Sequence, residues 1–146
     1  MKIFISGGSG YTGTILVKKL LENNHKVISF DTQWFGNHLK KHKNLKIIKD
    51  DIRNIKKYSL KGIDKFIHLA NIANDPSVDL APSLSWEVNV LAIKEILDLC
   101  IKNRIKHFIY ASSGSVYGVK KEKKVTEDLE LVPISTYNKT KMIAEK

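Results

Sequence analysis

Apolar positions along the chain alternate between two rhythms. Short runs rich in β-branched and aromatic residues, KIFIS (2–6), KVISF (26–30), LKIIK (45–49), KFIHLA (65–70) and HFIYAS (107–112), read as five strands. Between them, apolar residues recur at helical spacing. Ile15, Leu16 and Leu20 predict a helix from Thr14 to Asn23. Val88, Leu91, Ala92, Ile96, Leu97 and Leu99 predict a long one from Trp86 to Lys102, and a last helix starts near Ser135 and still runs at Lys146. Strands this continuously apolar, alternating with helices, belong to a parallel sheet covered on both faces. The expected class is α/β, doubly wound.

Where the first strand hands over to the first helix the chain reads SGGSGYTG, with Gly7, Gly8, Gly10 and Gly13 in seven residues. Gly8, Gly10 and Gly13 match G-x-G-x-x-G, and Gly7, Gly10 and Gly13 give the same turn a three-residue spacing. Such a turn needs backbone angles closed to other residues, lets a pyrophosphate approach the main chain, and lets the helix pack tightly on the strand. The helix opening at Tyr11, Thr12 and Gly13 then offers free N–H groups and a positive dipole end to phosphates. Asp31 closes the second strand, eighteen residues after Gly13. A carboxylate there accepts hydrogen bonds from an adenosine ribose 2′-OH and repels a 2′-phosphate. No Arg or Lys lies between Thr32 and His38 to offset that repulsion, so NAD is expected over NADP. A glycine turn that is only a turn, and an aspartate that only caps a loop, are the plain alternatives.

Composition narrows the picture. At 146 residues, 42% apolar and 27% charged, the chain has one domain's worth of core and no run long enough to span a bilayer. Its single cysteine, Cys100, excludes an internal disulfide framework, fits a reducing cytoplasm and reads as buried packing. The net charge of +10 comes almost wholly from lysine, with Arg53 and Arg104 the only arginines. Without arginine forks the charge reads as a solvated surface that favours anionic ligands, and neither nucleic acid nor membrane is an expected partner. The NKT triplet at Asn138 matches a glycosylation acceptor, a coincidence without a secretory route. No metal site is expected.

Two further stretches point to chemistry. YASSGSVYG (110–118) ends the fifth strand in a row of hydroxyls, and STYNKTK (135–141) places Tyr137 and Lys141 one helical turn apart. An ammonium held beside a phenol favours the phenolate, which can then take a proton from a hydroxyl. Together with SGGSGYTG, DDIRN (50–54), HLA (68–70) and WEVNV (86–90), these stretches resemble the extended short-chain dehydrogenase/reductase family, the nucleotide-sugar epimerases and dehydratases and their relatives, along the whole chain.

The resemblance implies a Rossmann fold, NAD as cofactor, and Ser113, Tyr137 and Lys141 as the catalytic set. It adds Asp51, Ile52, Leu69, Ala70 and Asn89 to the cofactor contacts, with Tyr137 and Lys141 reaching the cofactor as well. Gly114 and Ser115 stand where the family's sugar dehydratases carry an Asp–Glu pair, which leaves transient oxidation, epimerisation at the fourth sugar carbon, or plain oxidoreduction of a nucleotide-diphosphate sugar. The resemblance also implies a cytoplasmic homodimer about twice this length. It makes the 146 residues the cofactor-binding part, incomplete at its C-terminal end, without the substrate domain and inactive alone. Ordinary readings stay open at single positions: an exposed Tyr–Lys pair, Ser113 as a polar strand end, His68 as a satisfied buried histidine, Asn89 bonding its own helix, Asp51 in a turn and Tyr117 as packing. A non-catalytic NAD-binding module and a basic nucleic-acid binder are the other function classes.

Overall fold

The computed structural model describes residues 1–146. The chain divides into two units, the first formed by Met1–Asn71 with Lys94–Ala111 and the second by Ile72–Ile93 with Ser112–Lys146.

The first unit is built on five parallel strands: β1 (Lys2–Ser6), β2 (Lys26–Asp31), β3 (Leu45–Lys49), β4 (Lys65–His68) and β5 (His107–Tyr110). Their order is β3-β2-β1-β4-β5. The chain winds outward from β1 and then restarts at β4 on its other side. That reversal makes the carboxyl end of β1 the switch point where such sheets bind ligands. Alternation along β1 sorts the core. Phe4 stacks on Phe66 at 4.8 Å, with Phe30 and Phe108 continuing an aromatic row on one face. Ile3, Ile5, Val27 and Ile67 pack on the other with Val17 of the helix α1 (Tyr11–Glu22). The outer strands are less covered than their apolar sequences suggest, and Ile109 of β5 is 48% exposed.

Helix α1 ends in a Schellman turn. Asn24, at φ +57°, donates to the carbonyl of Leu21, and His25 donates to that of Leu20. Helix α4 (Ala92–Lys102) closes the same way, with Arg104 at φ +55° in place of the usual glycine. Cys100 on α4 is buried, and burial pushes its thiol up to about 11, so it is an inert packing group.

The second unit holds short elements absent from the sequence expectation. Helix α2 (Asp75–Leu80) is capped by Asn74, whose side chain accepts from the Ser77 N–H, and α3 (Pro82–Trp86) follows directly. The predicted long helix is interrupted at its start, because Glu87–Leu91 form a π turn. Ser113 caps a single 3-10 turn, Gly114–Tyr117, and Ser135 caps α5 (Thr136–Glu145). No helix is long and apolar enough to cross a membrane.

Candidate functional site

The first unit contributes the glycine turn. Gly7 sits at φ +77°, and a Cβ on it would lie 2.6 Å from the Ala70 nitrogen and 2.8 Å from the Leu69 carbonyl carbon. The ends of β1 and β4 therefore approach without room for a side chain, which brings Leu69 and Ala70 to the turn. Gly13 is as constrained: its Cβ would lie 2.2 Å from the Gly7 carbonyl oxygen, because α1 starts directly on the turn. At Gly8 the neighbour is a side chain, since a Cβ there would lie 2.3 Å from the Ser29 hydroxyl oxygen.

Gly10 differs. Its φ of −74° suits any residue, and the nearest atom to a Cβ would be the Gly7 oxygen at 3.4 Å. Nothing in the chain excludes a side chain at position 10. Gly10 is also the N-cap of α1, yet no side chain caps the helix and its first turn carries no acid. Helix N-termini leave backbone N–H groups without intrahelical partners. The open space at Gly10 and the uncapped opening at Tyr11 and Thr12 fit an anionic group such as a pyrophosphate. Helix α1 starts three residues earlier than its apolar spacing predicts, so Tyr11, Thr12 and Gly13 belong to it.

Asp31 ends β2, and its carboxylate accepts the Ser9 N–H at 3.0 Å and the Gln33 N–H at 2.6 Å. It thus ties β2 to the glycine turn while leaving acceptor positions for a further hydroxyl donor. Further on, Asp50 accepts from the Tyr58 hydroxyl at 2.6 Å, and that bond, with those from Asn54 and the Asp51 N–H, holds its carboxyl below the usual range. Asp51 is engaged by Arg53 through Nε at 3.0 Å and Nη2 at 2.8 Å, which lowers its carboxyl likewise. Ile52 is buried among the core side chains. His68 is a buried, bonded histidine, with Nδ1 2.6 Å from the Ser6 hydroxyl.

The second unit holds a hydroxyl and amine cluster on α5 and the turn after β5. Tyr137 is half-buried, and the Lys141 Nζ lies 6.0 Å from its ring centroid. Lys141 is only 3% exposed. Burial pushes its amine down to about 8, against the opposing field of Glu145. Ser113 Oγ lies 2.6 Å from Ser115 Oγ, and Ser115 donates to Asn138 Oδ1 at 2.7 Å. Asn138 is itself buried, which takes the asparagine of the NKT triplet off the surface.

Asn89 sits in the π turn, fully buried. It does not bond its own helix. Its Oδ1 accepts the Ile72 N–H at 2.8 Å, and its Nδ2 donates to the Ile72 carbonyl at 3.1 Å and to Thr140 Oγ1 at 3.3 Å. Thr140 in turn donates to the Tyr137 carbonyl at 2.7 Å. Sequence reasoning missed Asn138 and Thr140. The one signal was spacing, since Asn138 and Lys141 alternate with Tyr137 and Thr140 across the first turns of α5.

The comparisons with known proteins place the whole chain. The profile of the NAD dependent epimerase/dehydratase family matches residues 3–146. A putative UDP-glucose 4-epimerase of Methanocaldococcus jannaschii is 32% identical over 148 residues, covering 99% of this chain and 48% of that protein. The solved UDP-N-acetylglucosamine 4-epimerase of Methanobrevibacter ruminantium, in complex with UDP-N-acetylmuramic acid, superposes with a TM-score of 0.91 at 31% identity. It covers 99% of this chain and 48% of its own. A UDP-glucuronic acid 4-epimerase variant of Bacillus cereus, solved with UDP-4-deoxy-4-fluoroglucuronic acid and NAD, superposes at 0.88 with 30% identity, covering 99% and 50%. The chain thus spans about half the length of the relatives it matches. With the glycine turn, the Tyr–Lys helix and a profile match over nearly every residue in agreement, the chain belongs to the NAD dependent epimerase/dehydratase family.

Proposed function

We propose that this chain is the cofactor-binding and acid/base part of an NAD-dependent nucleotide-sugar epimerase acting at the fourth sugar carbon. The observation that carries this reading is the Tyr137–Lys141 pair: a half-buried phenol with a desolvated amine one helical turn away, on a helix anchored through Thr140. Tyr137 holds or takes the proton of the reacting sugar hydroxyl, and the charge of Lys141 favours its phenolate. Ser113 hydrogen-bonds the same oxygen. The glycine turn and Asp31 bind pyrophosphate and adenosine ribose, and Leu69, Ala70, Asp51, Ile52 and Asn89 complete the cofactor contacts. NAD, when bound, supplies the hydride acceptor. Ser115 and Gly114 offer no carboxyl acid, which favours epimerisation over water elimination. A nucleotide-sugar oxidoreductase of the same family is the second reading, because the same three residues serve simple oxidation.

The relatives' second half is the natural place for the sugar-nucleotide, so the 146 residues alone should bind NAD weakly and turn over little or nothing. A cytoplasmic homodimer through the central helix and α5 belongs to the same reading.

Calorimetric titration with NAD and NADP tests the cofactor half. Wild type should bind NAD more tightly than NADP, and Asp31→Ala should erase the preference. Equal binding of the two cofactors by wild type would contradict the cofactor half, and turnover of UDP-glucose by these residues alone would contradict the expectation that they are inactive by themselves.

A further inference from the structure

We propose that a cleft between the 3-10 segment Ile52–Lys57 and the last turn of α4 binds a small phosphorylated metabolite, a phosphate monoester of about sugar-phosphate size. The cleft holds about 320 Å³. That is the low end of the roughly 300–1,000 Å³ that small-molecule sites occupy. It lies within the first unit, and none of Gly7, Gly13, Asp31, Asp51 or Ile52 lines it. The glycine turn follows the carboxyl end of β1, whereas the last turn of α4 leads into the amino end of β5. In a parallel sheet those are opposite edges, so the cleft is not part of the cofactor cradle.

Its lining selects an anion. Lys56 and Lys57 stand on one wall and Lys102 on the other, and no carboxylate lines it. Lys56 is committed to an ion pair with Glu95. Lys57 and Lys102 are exposed and lie outside the molecule's ion pairs, although Lys57 helps to hold the Asp50 carboxyl low. A helix end with free carbonyls would repel an anion, but here the carbonyls are bonded. The Leu99 carbonyl accepts from the Asn103 N–H at 3.0 Å and from Asn103 Nδ2 at 2.8 Å. Those of Cys100 and Ile101 accept the N–H groups of Ile105 and Arg104 at 2.9 Å and 3.0 Å.

The remaining lining asks for more than an ion. Leu60, fully buried, and Leu99 give the cleft an apolar side. Beside them the Ser59 hydroxyl accepts the Lys61 N–H at 3.3 Å and keeps its own proton to donate. A phosphate on the two ammonium groups, with a short hydroxylated skeleton over the leucines, uses every part of that surface. Nucleic acid fits less well. No arginine lines the cleft, and Tyr58 is not free to stack on a base, because its ring meets Phe30 edge-on and its hydroxyl donates to Asp50.

Amide chemical-shift mapping by NMR tests the proposal, with glucose 6-phosphate as the probe. It should shift amides of residues 56–60 and 99–103, and glucose should shift none. Inorganic phosphate should bind roughly fivefold more weakly, for want of the carbon skeleton. Lys57→Gln with Lys102→Gln should weaken glucose 6-phosphate binding about tenfold or more at an unchanged melting temperature. Lys40→Gln with Lys41→Gln removes the same charge outside the cleft and should leave the affinity unchanged. No binding, shifts centred on residues 7–13, or equal losses from the two lysine pairs overturn the proposal. So does inorganic phosphate binding as tightly as the ester, which would mean an adventitious ion only. None of these outcomes requires NAD, so the proposal stands or fails apart from the cofactor reading.

Discussion

The glycine turn and the α5 cluster are built by opposite means. At the turn the main chain does the work: Gly7 and Gly13 are required because main-chain atoms occupy the space of a Cβ. On α5 the positions are set by polar side chains: Ser113, Ser115 and Asn138 bond in one series, and Asn89 and Thr140 bond each other and the backbone of Ile72 and Tyr137 in the other. A backbone-built site tolerates no added atom at Gly7 or Gly13, where the main chain already fills the space. A side-chain-built site tolerates shape changes but not the loss of a partner, since each loss leaves a buried polar group unpaired.

Gly13→Val should break the first site outright, with no cooperative unfolding transition left by circular dichroism. Gly13→Ala should cost about 3 kcal/mol, since its Cβ meets main-chain atoms that cannot move aside. A neutral Gly13→Ala would mean that the turn is adaptable after all.

Lys141 gives the next largest effect. The unfolded chain keeps the lysine proton up to about 10.5, while the native state releases it near 8. The unfolded state therefore binds more protons between those values, and this residue makes stability rise with pH across that window. Below pH 8 both states are charged and the burial cost is fully present. Lys141→Met should flatten the rise and stabilise the fold at neutral pH by up to about 3 kcal/mol. Urea denaturation at pH 7, 8 and 9 measures both. The smallest expected change is Asn89→Leu, which removes the Asn89 bonds to the Ile72 N–H and carbonyl and should cost about 2 kcal/mol by the same measurement.

The contrast also explains what the sequence could reveal. The five strands were legible because their β-branched runs are short and bounded. The turn was legible because steric demand shows as glycine and nothing else. Even so, the pattern alone cannot separate Gly13, which the fold requires, from Gly10, which it does not. Helix α1 was placed late because its first turn is glycine and polar residues. The π turn at Glu87–Leu91 was hidden because its apolar residues keep helical spacing on either side of the extra residue. Helices α2 and α3 are short, and each carries a proline, Pro76 or Pro82, in its first turn, so neither shows a helical repeat of apolar residues. The roles of Asn89, Asn138 and Thr140 depend on partners 17 to 51 residues away, and no local pattern encodes such pairings.

The most direct test of the account is NAD titration of Gly10→Ala beside wild type, with melting temperatures for both. The space at Gly10 is open to the chain's own atoms, so the substitution should leave stability unchanged or slightly raised. It should also abolish or sharply weaken NAD binding, because the added methyl stands where the pyrophosphate must approach. NAD affinity equal to wild type in a folded Gly10→Ala protein would contradict the assignment of this turn as the cofactor cradle.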